Sequence, residues 1–247
     1  MTPSPSPGRL TGRVAAITGA SSGIGKALAE RFAAEGATVV LGSRVVGDVE
    51  RVAEGIRKRG GTAHAFPLDV TKRESVAAFA RATEQAVGAV DLLVNNAGVG
   101  RYGFLEEADL EDFEEQIATN LLGPIYVTKA FLPLLKRSTA PSKAVLNIAS
   151  VSATQTAPGL SGYNASKFGL RGFSLSIAQE LSPHGIRLTV VNPGYVATAM
   201  VAGSQVPPED MIQPEELAET CLRLATLPPS VHVDEVTVWP AKLYAEE

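Results

Sequence analysis

Short apolar runs alternate with longer segments of helical periodicity along almost the whole chain. The apolar runs lie at 14–17, 38–41, 62–66, 92–94, 144–148, 187–191 and 235–238, and the helical segments at 24–35, 48–59, 72–87, 111–136, 164–181 and 214–226. Near-continuous apolar strands between helices are typical of a parallel sheet that is covered on both faces by right-handed crossovers. The pattern therefore predicts an α/β fold with a doubly wound sheet of about seven parallel strands.

The length of 247 residues suits one domain of the larger α/β class, and no repeat or second domain is visible, so we expect a single domain over 12–247. Residues 1–11 are rich in Pro and Ser and lack an apolar run, which predicts a disordered tail rather than a secretion signal. The segment 199–213 follows the sixth strand and contains Gly203, Pro207 and Pro208. We expect it to form a lid over the site.

Charge and cysteine content exclude several classes of function. The net charge of −4 provides no basic field for nucleic acid or for an anionic membrane, and no apolar run approaches the length of about 20 residues that spans a bilayer. The single cysteine, Cys221, excludes an intramolecular disulfide and a cysteine-based zinc site, and the three histidines have no metal-ligand spacing. We expect a cytoplasmic protein with no metal, nucleic-acid or membrane partner.

A glycine-rich turn joins the first strand to the first helix. Its glycines are Gly19, Gly23 and Gly25, and Ser21, Ser22 and Ile24 lie between them. Glycine permits the tight turn, the approach of a pyrophosphate to the backbone and the close packing of helix on strand. The exposed N–H groups and the dipole at a helix start favour an anion. The turn predicts a dinucleotide site, and a strand–helix turn that binds nothing is the alternative.

The end of the second strand bears on the choice between NAD(H) and NADP(H). NAD sites place an acidic residue here for the ribose 2′-hydroxyl, whereas this chain has Ser43 and Arg44 and no acid before Asp48. A hydroxyl and a guanidinium suit a 2′-phosphate, because arginine offers charge and a fork of donors. We therefore favour NADP(H) over NAD(H), with an ordinary surface arginine at position 44 as the alternative.

Tyr163 and Lys167 are four residues apart in a helical segment, so they share one helical face. A free tyrosine has a pKa of about 10, and a nearby ammonium favours its phenolate form. Such a pair can donate a proton to a nascent alkoxide or remove one from an alcohol. Taken alone, the spacing is also compatible with two unrelated surface residues.

Other polar and small residues follow the predicted strands or interrupt a helix. Ser150 follows the fifth strand, where its hydroxyl can reach a substrate oxygen, and Asn120 lies inside the helical segment 111–136. Two further groups stand at strand ends, where a cofactor crevice forms in such sheets: Asn96, Ala97 and Gly98 after the fourth strand, and Pro193, Gly194, Val196 and Thr198 after the sixth.

Together these motifs resemble those of the short-chain dehydrogenase/reductase family, over about residues 12 to 240 and in the family's order. The resemblance implies a Rossmann-type domain in which Tyr163 is the general acid/base and Lys167 lowers its pKa and binds the nicotinamide ribose. It implies that Ser150 orients the substrate carbonyl and that Asn120 holds a water of a proton relay.

The resemblance also assigns the cofactor contacts. Asp69 and Val70 would bracket the adenine, Asn96, Ala97 and Gly98 would line the adenosine ribose side, and Val196 and Thr198 would hold the carboxamide. Ser43 and Arg44 match the NADP-preferring branch. The basic residue usual before the second glycine is absent, since Ser22 stands there. Oligomers are usual in the family, so a homodimer or homotetramer built on the segments 111–136 and 164–181 is expected.

The substrate is expected to be a small carbonyl or alcohol compound. Its pocket is expected from 151–160, Tyr195 and the loop 199–213, which are mostly small or apolar, with Arg101 nearby and Tyr102 and Gln155 as further lining. The ending Trp239-Pro240 differs from the glycine-rich ending usual in ketoacyl reductases of the family. The function predicted first is that of a general NADPH-dependent carbonyl reductase. A 3-oxoacyl-group ketoreductase and a non-catalytic NADP(H)-binding sensor or scaffold are the alternatives.

Overall fold

The computed structural model describes residues 8–244. Its centre is a parallel sheet of seven strands in the order β3-β2-β1-β4-β5-β6-β7. The strands are β1 (Val14–Thr18), β2 (Thr38–Ser43), β3 (Thr62–Pro67), β4 (Leu92–Asn95), β5 (Lys143–Ile148), β6 (Ile186–Pro193) and β7 (Glu235–Val238). The chain runs outward from β1 to β3 and then returns to β4 beside β1. This reversal opens a crevice at the carboxyl ends of β1 and β4, where ligands bind in doubly wound sheets.

Helices cover both faces of the sheet and confirm the predicted fold class. They are α1 (Gly23–Ala34), α2 (Val46–Lys58), α3 (Arg73–Val87), α4 (Leu110–Ile117), α5 (Gly123–Arg137), α6 (Ser161–Leu181), α7 (Pro214–Ala225) and the short α8 (Ala241–Tyr244). Buried residues of α1, α2 and α7 form the core on one face, and those of α3, α5 and α6 form the core on the other.

The helix expected over 111–136 is interrupted. A π-helical turn over Ala118–Leu122 separates α4 from α5, and Asn120 lies within that turn. Pro124 follows in the first turn of α5, and it has no N–H to offer the carbonyl of Asn120 in the α-helical pattern. Single π-turns of this kind are frequent at functional sites.

Residues 8–11 pack against the domain, so the tail expected over 1–11 is wrong for this part. Leu10 is fully buried, and its N–H donates to the carbonyl of Glu35 at 2.9 Å. The guanidinium of Arg9 pairs with the carboxylates of Glu35 and Glu219, each at 3.1 Å. The remainder of the predicted tail, residues 1–7, lies outside the described residues.

Over residues 8–244, no helix is long and apolar enough to cross a membrane. The same residues contain no group of three or more His, Cys, Asp or Glu side chains that could hold a metal ion. Cys221 is a free, buried thiol, and burial raises its pKa to about 12. The cytoplasmic location stays a prediction.

Candidate active site

A cavity of about 950 Å³ opens at the carboxyl ends of the strands. The residues expected there from the sequence come from the ends of six strands and from α6, and the structure brings nearly all of them to this one cavity. They are Gly19, Ser21, Ser22, Gly23, Ile24, Ser43, Arg44, Asp69, Val70, Asn96, Ala97, Gly98, Ser150, Tyr163, Lys167, Pro193, Gly194, Val196 and Thr198. Gly25 and Asn120 do not line the cavity and lie behind its wall.

The glycines of the β1–α1 turn are required by close backbone contacts. Gly19 has φ +64°, and a Cβ there would lie 2.8 Å from the Cα of Ala97. A Cβ at Gly25 would overlap the carbonyl oxygen of Gly19 and lie 2.5 Å from Nδ2 of Asn96. The turn is therefore pressed against the segment that follows β4, and no side chain fits between them.

Asn96 and Thr18 hold these two segments together. The hydroxyl of Thr18 accepts hydrogen bonds from the N–H groups of Asn96 and Ala97, both at 3.0 Å. In return, Nδ2 of Asn96 donates to the carbonyls of Thr18 at 3.0 Å and Gly19 at 3.2 Å. The sequence motif begins with Thr18, but sequence reasoning gave this residue no role. Its signal was a hydroxyl residue at the end of an apolar strand, directly before Gly19.

The start of α1 has the features of an anion site. Ser22 is its N-cap and makes no side-chain capping hydrogen bond, and the first turn contains no acidic residue. The N–H groups of a first helical turn have no partner within the helix, and the helix dipole favours negative charge there. Gly23 (φ +50°) faces Thr198, whose Cγ2 would lie 3.1 Å from a Cβ at this position.

Residues that follow β2 and β3 form another part of the cavity wall. The hydroxyl of Ser43 donates to that of Ser21 at 3.1 Å, which links the second strand to the glycine-rich turn. The side chain of Arg44 is 66% exposed, and its guanidinium lies 3.9 Å from the carboxylate of Glu115. Asp69 is occupied locally, because its carboxylate accepts from the N–H of Thr71 at 3.0 Å and from its hydroxyl at 2.7 Å.

Tyr163 and Lys167 lie in the first two turns of α6, and both are buried. Nζ of Lys167 donates to the carbonyl of Ile148 at 3.0 Å and lies 5.6 Å from the centroid of the Tyr163 ring. Burial disfavours the ammonium and lowers the pKa of Lys167 to about 8. The carbonyl of Ile148, at the end of β5, is thus a partner of this site that the sequence did not indicate.

Burial raises the pKa of Tyr163 above its ordinary value. The neighbouring Tyr102 adds to this rise, and a hydrogen bond with Ser150 acts in the opposite direction. The net direction is opposite to the lowering of the pKa expected from Lys167, because the loss of solvent outweighs the hydrogen bond with Ser150. Ser150 is itself positioned by the N–H of Ser152, which donates to its hydroxyl oxygen at 3.1 Å.

Asn120 connects the π-turn to the segment after β4 and to α6. Its Oδ1 accepts from the N–H of Val99 at 2.8 Å, and its Nδ2 donates to the carbonyl of Val99 at 2.9 Å and to the hydroxyl of Ser166 at 3.0 Å. Ser166 in turn donates to the carbonyl of Tyr163 at 2.7 Å. Sequence reasoning singled out Asn120 but missed Ser166, whose position between Tyr163 and Lys167 was the available signal.

The arrangement combines a turn that has the features of an anion site with a buried phenol, an ammonium and a hydroxyl that line the same cavity. Comparison with known proteins agrees with this combination. A family model described as short chain dehydrogenase matches residues 13–207, which is most of the chain. The chain belongs to the short-chain dehydrogenase family.

Its relatives in this family are similar over nearly their full lengths. The oxidoreductase YxbG of Bacillus subtilis is 34% identical, over 97% of this chain and 97% of the relative. A Thermococcus sibiricus alcohol dehydrogenase, solved in complex with 5-hydroxy-NADP, is 35% identical with a TM-score of 0.85, covering 92% of this chain and 95% of the relative. A metagenomic short-chain oxidoreductase, solved with NADP, is 35% identical with a TM-score of 0.81, covering 94% and 98%. This short-chain dehydrogenase is therefore an oxidoreductase.

Proposed function

We propose that this short-chain dehydrogenase is an NADP(H)-dependent carbonyl reductase, which moves a hydride between the nicotinamide and a carbonyl or secondary alcohol carbon. One observation carries the proposal: Ser150, Tyr163 and Lys167 line the same cavity as the glycine-rich turn and Arg44. A sensor or scaffold that only binds the cofactor would need the turn, Arg44 and the groups that bind the ribose, but not the hydroxyl of Ser150 together with a phenol that can donate a proton. This difference favours an enzyme.

The cavity fits a nicotinamide dinucleotide in its shape and in its donors. The glycine-rich turn leaves room that a side chain would fill, and the start of α1 is free of a side-chain cap and of acidic residues. Arg44 places a guanidinium at the end of β2, where it could bind the 2′-phosphate of the cofactor. Two relatives were solved with NADP or 5-hydroxy-NADP. When bound, the cofactor supplies or accepts the hydride.

We expect different lining residues to bind successive parts of the cofactor along the cavity. Ser43 and Arg44 would hold the 2′-phosphate, Asp69 and Val70 the adenine, and Asn96, Ala97 and Gly98 the adenosine ribose. The turn from Gly19 to Gly25 would hold the pyrophosphate. Lys167 and Tyr163 would hold the nicotinamide ribose, and Pro193, Gly194, Val196 and Thr198 the carboxamide side. The proposal is supported by the presence of these residues, all but Ala20 and Gly25, on the wall of one cavity.

Four side chains would then handle the proton. In reduction, the hydroxyl of Tyr163 gives its proton to the substrate oxygen, and in oxidation its phenolate takes a proton from the alcohol. The hydroxyl of Ser150 hydrogen-bonds the same oxygen and holds it near Tyr163. The ammonium of Lys167 stabilises the phenolate that remains after proton donation. Asn120 holds the Val99 backbone and the start of α6 in place and would support a proton relay through Lys167.

A nucleotide titration tests this proposal. We would follow the fluorescence of NADPH and NADH as each binds to the wild type, to Arg44→Ala and to Arg51→Ala. Arg51 is the matched control, since its side chain is 73% exposed, pairs with Asp48 and does not line the cavity. We expect tighter binding of NADPH than of NADH, and a loss of about 10-fold in NADPH affinity for Arg44→Ala alone, since a charged hydrogen bond is lost. Tighter binding of NADH than of NADPH would overturn the proposed cofactor preference. Binding of neither nucleotide would overturn the proposal that the protein is an NADP(H)-dependent enzyme.

We further propose that the loop 199–213 acts as a lid and that the protein forms a homodimer or homotetramer. Residues 199–204 line the cavity, and Gly203 has φ +93° with open space around it.

The proposed assembly is supported by exposed apolar side chains. Leu110 on α4 is 73% exposed and Phe168 on α6 is 41% exposed, whereas Phe131 and Leu135 are buried in the protomer's own core. Light scattering coupled to size-exclusion chromatography measures the assembly, and a monomeric mass would overturn it.

A further inference from the structure

Aromatic side chains line the part of the cavity beside the catalytic Tyr163. Tyr102 follows β4 and is 52% exposed, and Tyr195 follows β6 and is 42% exposed. Both line the cavity together with Tyr163, and the two rings are close enough that Tyr195 adds to the burial-driven rise in the pKa of Tyr102. Large aromatic rings usually bury most of their area in the core. Here two of them present faces or edges to a cavity.

Tyr102 is held in place beside the catalytic phenol. Its ring meets that of Tyr163 edge to face, with centroids 5.8 Å apart and planes at 75°. On the other side it rests on Gly100, where a Cβ would lie 2.8 Å from the Cζ atom of Tyr102. The ring is therefore a pre-positioned wall rather than a loose surface side chain, and a flat group beside Tyr163 would pack on it without ordering it first.

Around the aromatic pair, the described wall of the cavity contains no charged side chain other than the catalytic Lys167. Of the described residues that line the cavity, only Arg44, Asp69 and Lys167 carry charge. Arg44 and Asp69 follow β2 and β3, and the strand β2 is roughly 14 Å from β5, which precedes Ser150. The guanidinium of Arg44 lies 3.9 Å from the carboxylate of Glu115, and Asp69 is hydrogen-bonded to Thr71. A carboxylate or phosphate on the substrate would lose its water here and gain no counter-charge other than Lys167, whose Nζ is hydrogen-bonded to the carbonyl of Ile148.

Arg101 does not change this conclusion. It lies next to Tyr102 in the chain, but its guanidinium pairs with the carboxylates of Glu115 at 2.7 Å and Asp112 at 3.4 Å. It lines a separate cavity of about 210 Å³ and not the one that holds Tyr163. The same cavity wall contains apolar side chains such as Leu160, Met200 and Trp239, and its further polar side chains, such as Gln155 and Thr156, are uncharged.

From the aromatic wall and the missing counter-charge, we propose that the substrate is an uncharged carbonyl compound with an aromatic ring on its carbonyl carbon, or the corresponding alcohol. The ring packs against Tyr102 and Tyr195, and these two residues determine specificity. In the reduction, the carbonyl carbon would gain a hydride from NADPH and its oxygen a proton from Tyr163, which gives a benzylic alcohol and NADP⁺. The phenolate left on Tyr163 would regain its proton from solvent. This inference rests on the proposed function and names its substrate class.

The test is a comparison of kcat/KM, with NADPH, for acetophenone, 2-butanone and pyruvate. We expect acetophenone to be preferred over 2-butanone and pyruvate to be the poorest of the three. Tyr102→Ala and Tyr195→Ala should each lower the ratio of acetophenone to 2-butanone by about 10-fold, since each removes one ring from the wall. Tyr102→Phe should restore the ratio to within about 3-fold, because the packing surface is the ring and not the hydroxyl.

Phe104→Ala is the matched control, because Phe104 is 59% exposed, is two residues from Tyr102 and does not line the cavity. The ratio of kcat/KM for acetophenone to kcat/KM for 2-butanone should be the same in Phe104→Ala as in the wild type. Thermal melts and NADPH titrations verify the fold of each variant, and Tyr195→Ala and Tyr102→Leu carry the test if Tyr102→Ala does not fold.

Two outcomes separate the inference from the proposed function. Preference for 2-butanone or pyruvate, or an unchanged ratio in the alanine variants, overturns the aromatic substrate and leaves the reductase standing. No turnover of any of the three compounds with NADPH or NADH, by folded protein, overturns the reductase and this inference with it.

Discussion

The buried ammonium of Lys167 titrates close to neutral pH. Burial lowers its pKa to about 8, and its Nζ donates to the carbonyl of Ile148, which is a dipole and not a charge. The same burial raises the pKa of Tyr163, so the phenol keeps its proton over the range in which Lys167 loses its own. A positive charge beside a protonated phenol is the state that carbonyl reduction needs, and it is present below the pKa of Lys167.

The pH dependence of reduction follows from this. Below about pH 8 the ammonium is present, and above it the charge that stabilises the phenolate is lost. We expect kcat/KM for carbonyl reduction to fall as the pH rises through this value, and Lys167→Met to lack this step at its much lower activity. A pH–rate profile measures it. A profile that stays flat for the wild type across roughly pH 7 to 9 would contradict the assignment.

Removal of one hydroxyl should abolish turnover without harming the fold. Tyr163→Phe keeps the ring in its packed position but removes the proton donor, and we expect kcat to fall by about 100-fold to 10,000-fold. NADPH affinity should fall by no more than about 10-fold, since one hydrogen bond to the ribose is lost, and the melting temperature should stay close to that of the wild type. Tyr126→Phe is the control, since Tyr126 lies on α5, contacts Arg73 and is outside the cavity wall. Equal activity of Tyr163→Phe and wild type would remove Tyr163 from the mechanism.

At the scale of elements, the β1–α1 turn shows why position decides the effect of a glycine. Gly25 lies in α1, where a Cβ would overlap the carbonyl oxygen of Gly19. Gly172 lies inside α6, and no atom lies within 4 Å of a Cβ placed there. The first glycine serves the approach of helix to turn, whereas the second only lowers helix propensity.

Alanine at these two positions should therefore have opposite effects. Gly25→Ala forces a backbone shift, and we expect it to lower the free energy of unfolding by about 1–3 kcal/mol and to weaken NADPH binding. Gly172→Ala should raise the free energy of unfolding by about 0.5–1 kcal/mol and leave NADPH binding as it is. Urea unfolding and nucleotide titration measure both. Tolerance of Gly25→Ala would show that the turn can relax and that its close contact is dispensable.

At the scale of the whole molecule, residues 8–11 close one side of the core that α1 and α7 share. Arg9 pairs with Glu35 after α1 and with Glu219 on α7, and Leu10 is fully buried beside them. Exposed ion pairs contribute little, so the packing of Leu10 is expected to dominate the contribution of this segment to stability.

Leu10→Ala tests that contribution. Deletion of a fully buried leucine side chain costs about 2–5 kcal/mol, which for a chain of this size lowers the melting temperature by roughly 10 °C. Leu105→Ala is the matched control, because Leu105 is 75% exposed, and its melting temperature should not change measurably. Calorimetry gives both values. A melting temperature of Leu10→Ala equal to that of the wild type would show that residues 8–11 do not contribute to the core.

The sequence was sufficient for the fold class and for most of the candidate site. Every strand end lies within two residues of its expected position, because apolar runs bounded by turns are local signals. Ser43, Asn96, Ser150 and Thr198 could be assigned to one crevice because the carboxyl ends of parallel strands share one edge of the sheet.

Only the tertiary structure decided the features that depend on contacts between distant parts of the chain. The burial of Leu10 depends on packing against other elements, and the hydrogen bond from Lys167 to Ile148 joins α6 to the end of β5. The rise in the pKa of Tyr163 depends on desolvation and on the Tyr102 ring, which no spacing along the chain reveals. Periodicity and strand-end motifs are properties of neighbouring residues, whereas burial and electrostatic environment arise only when the whole chain is packed.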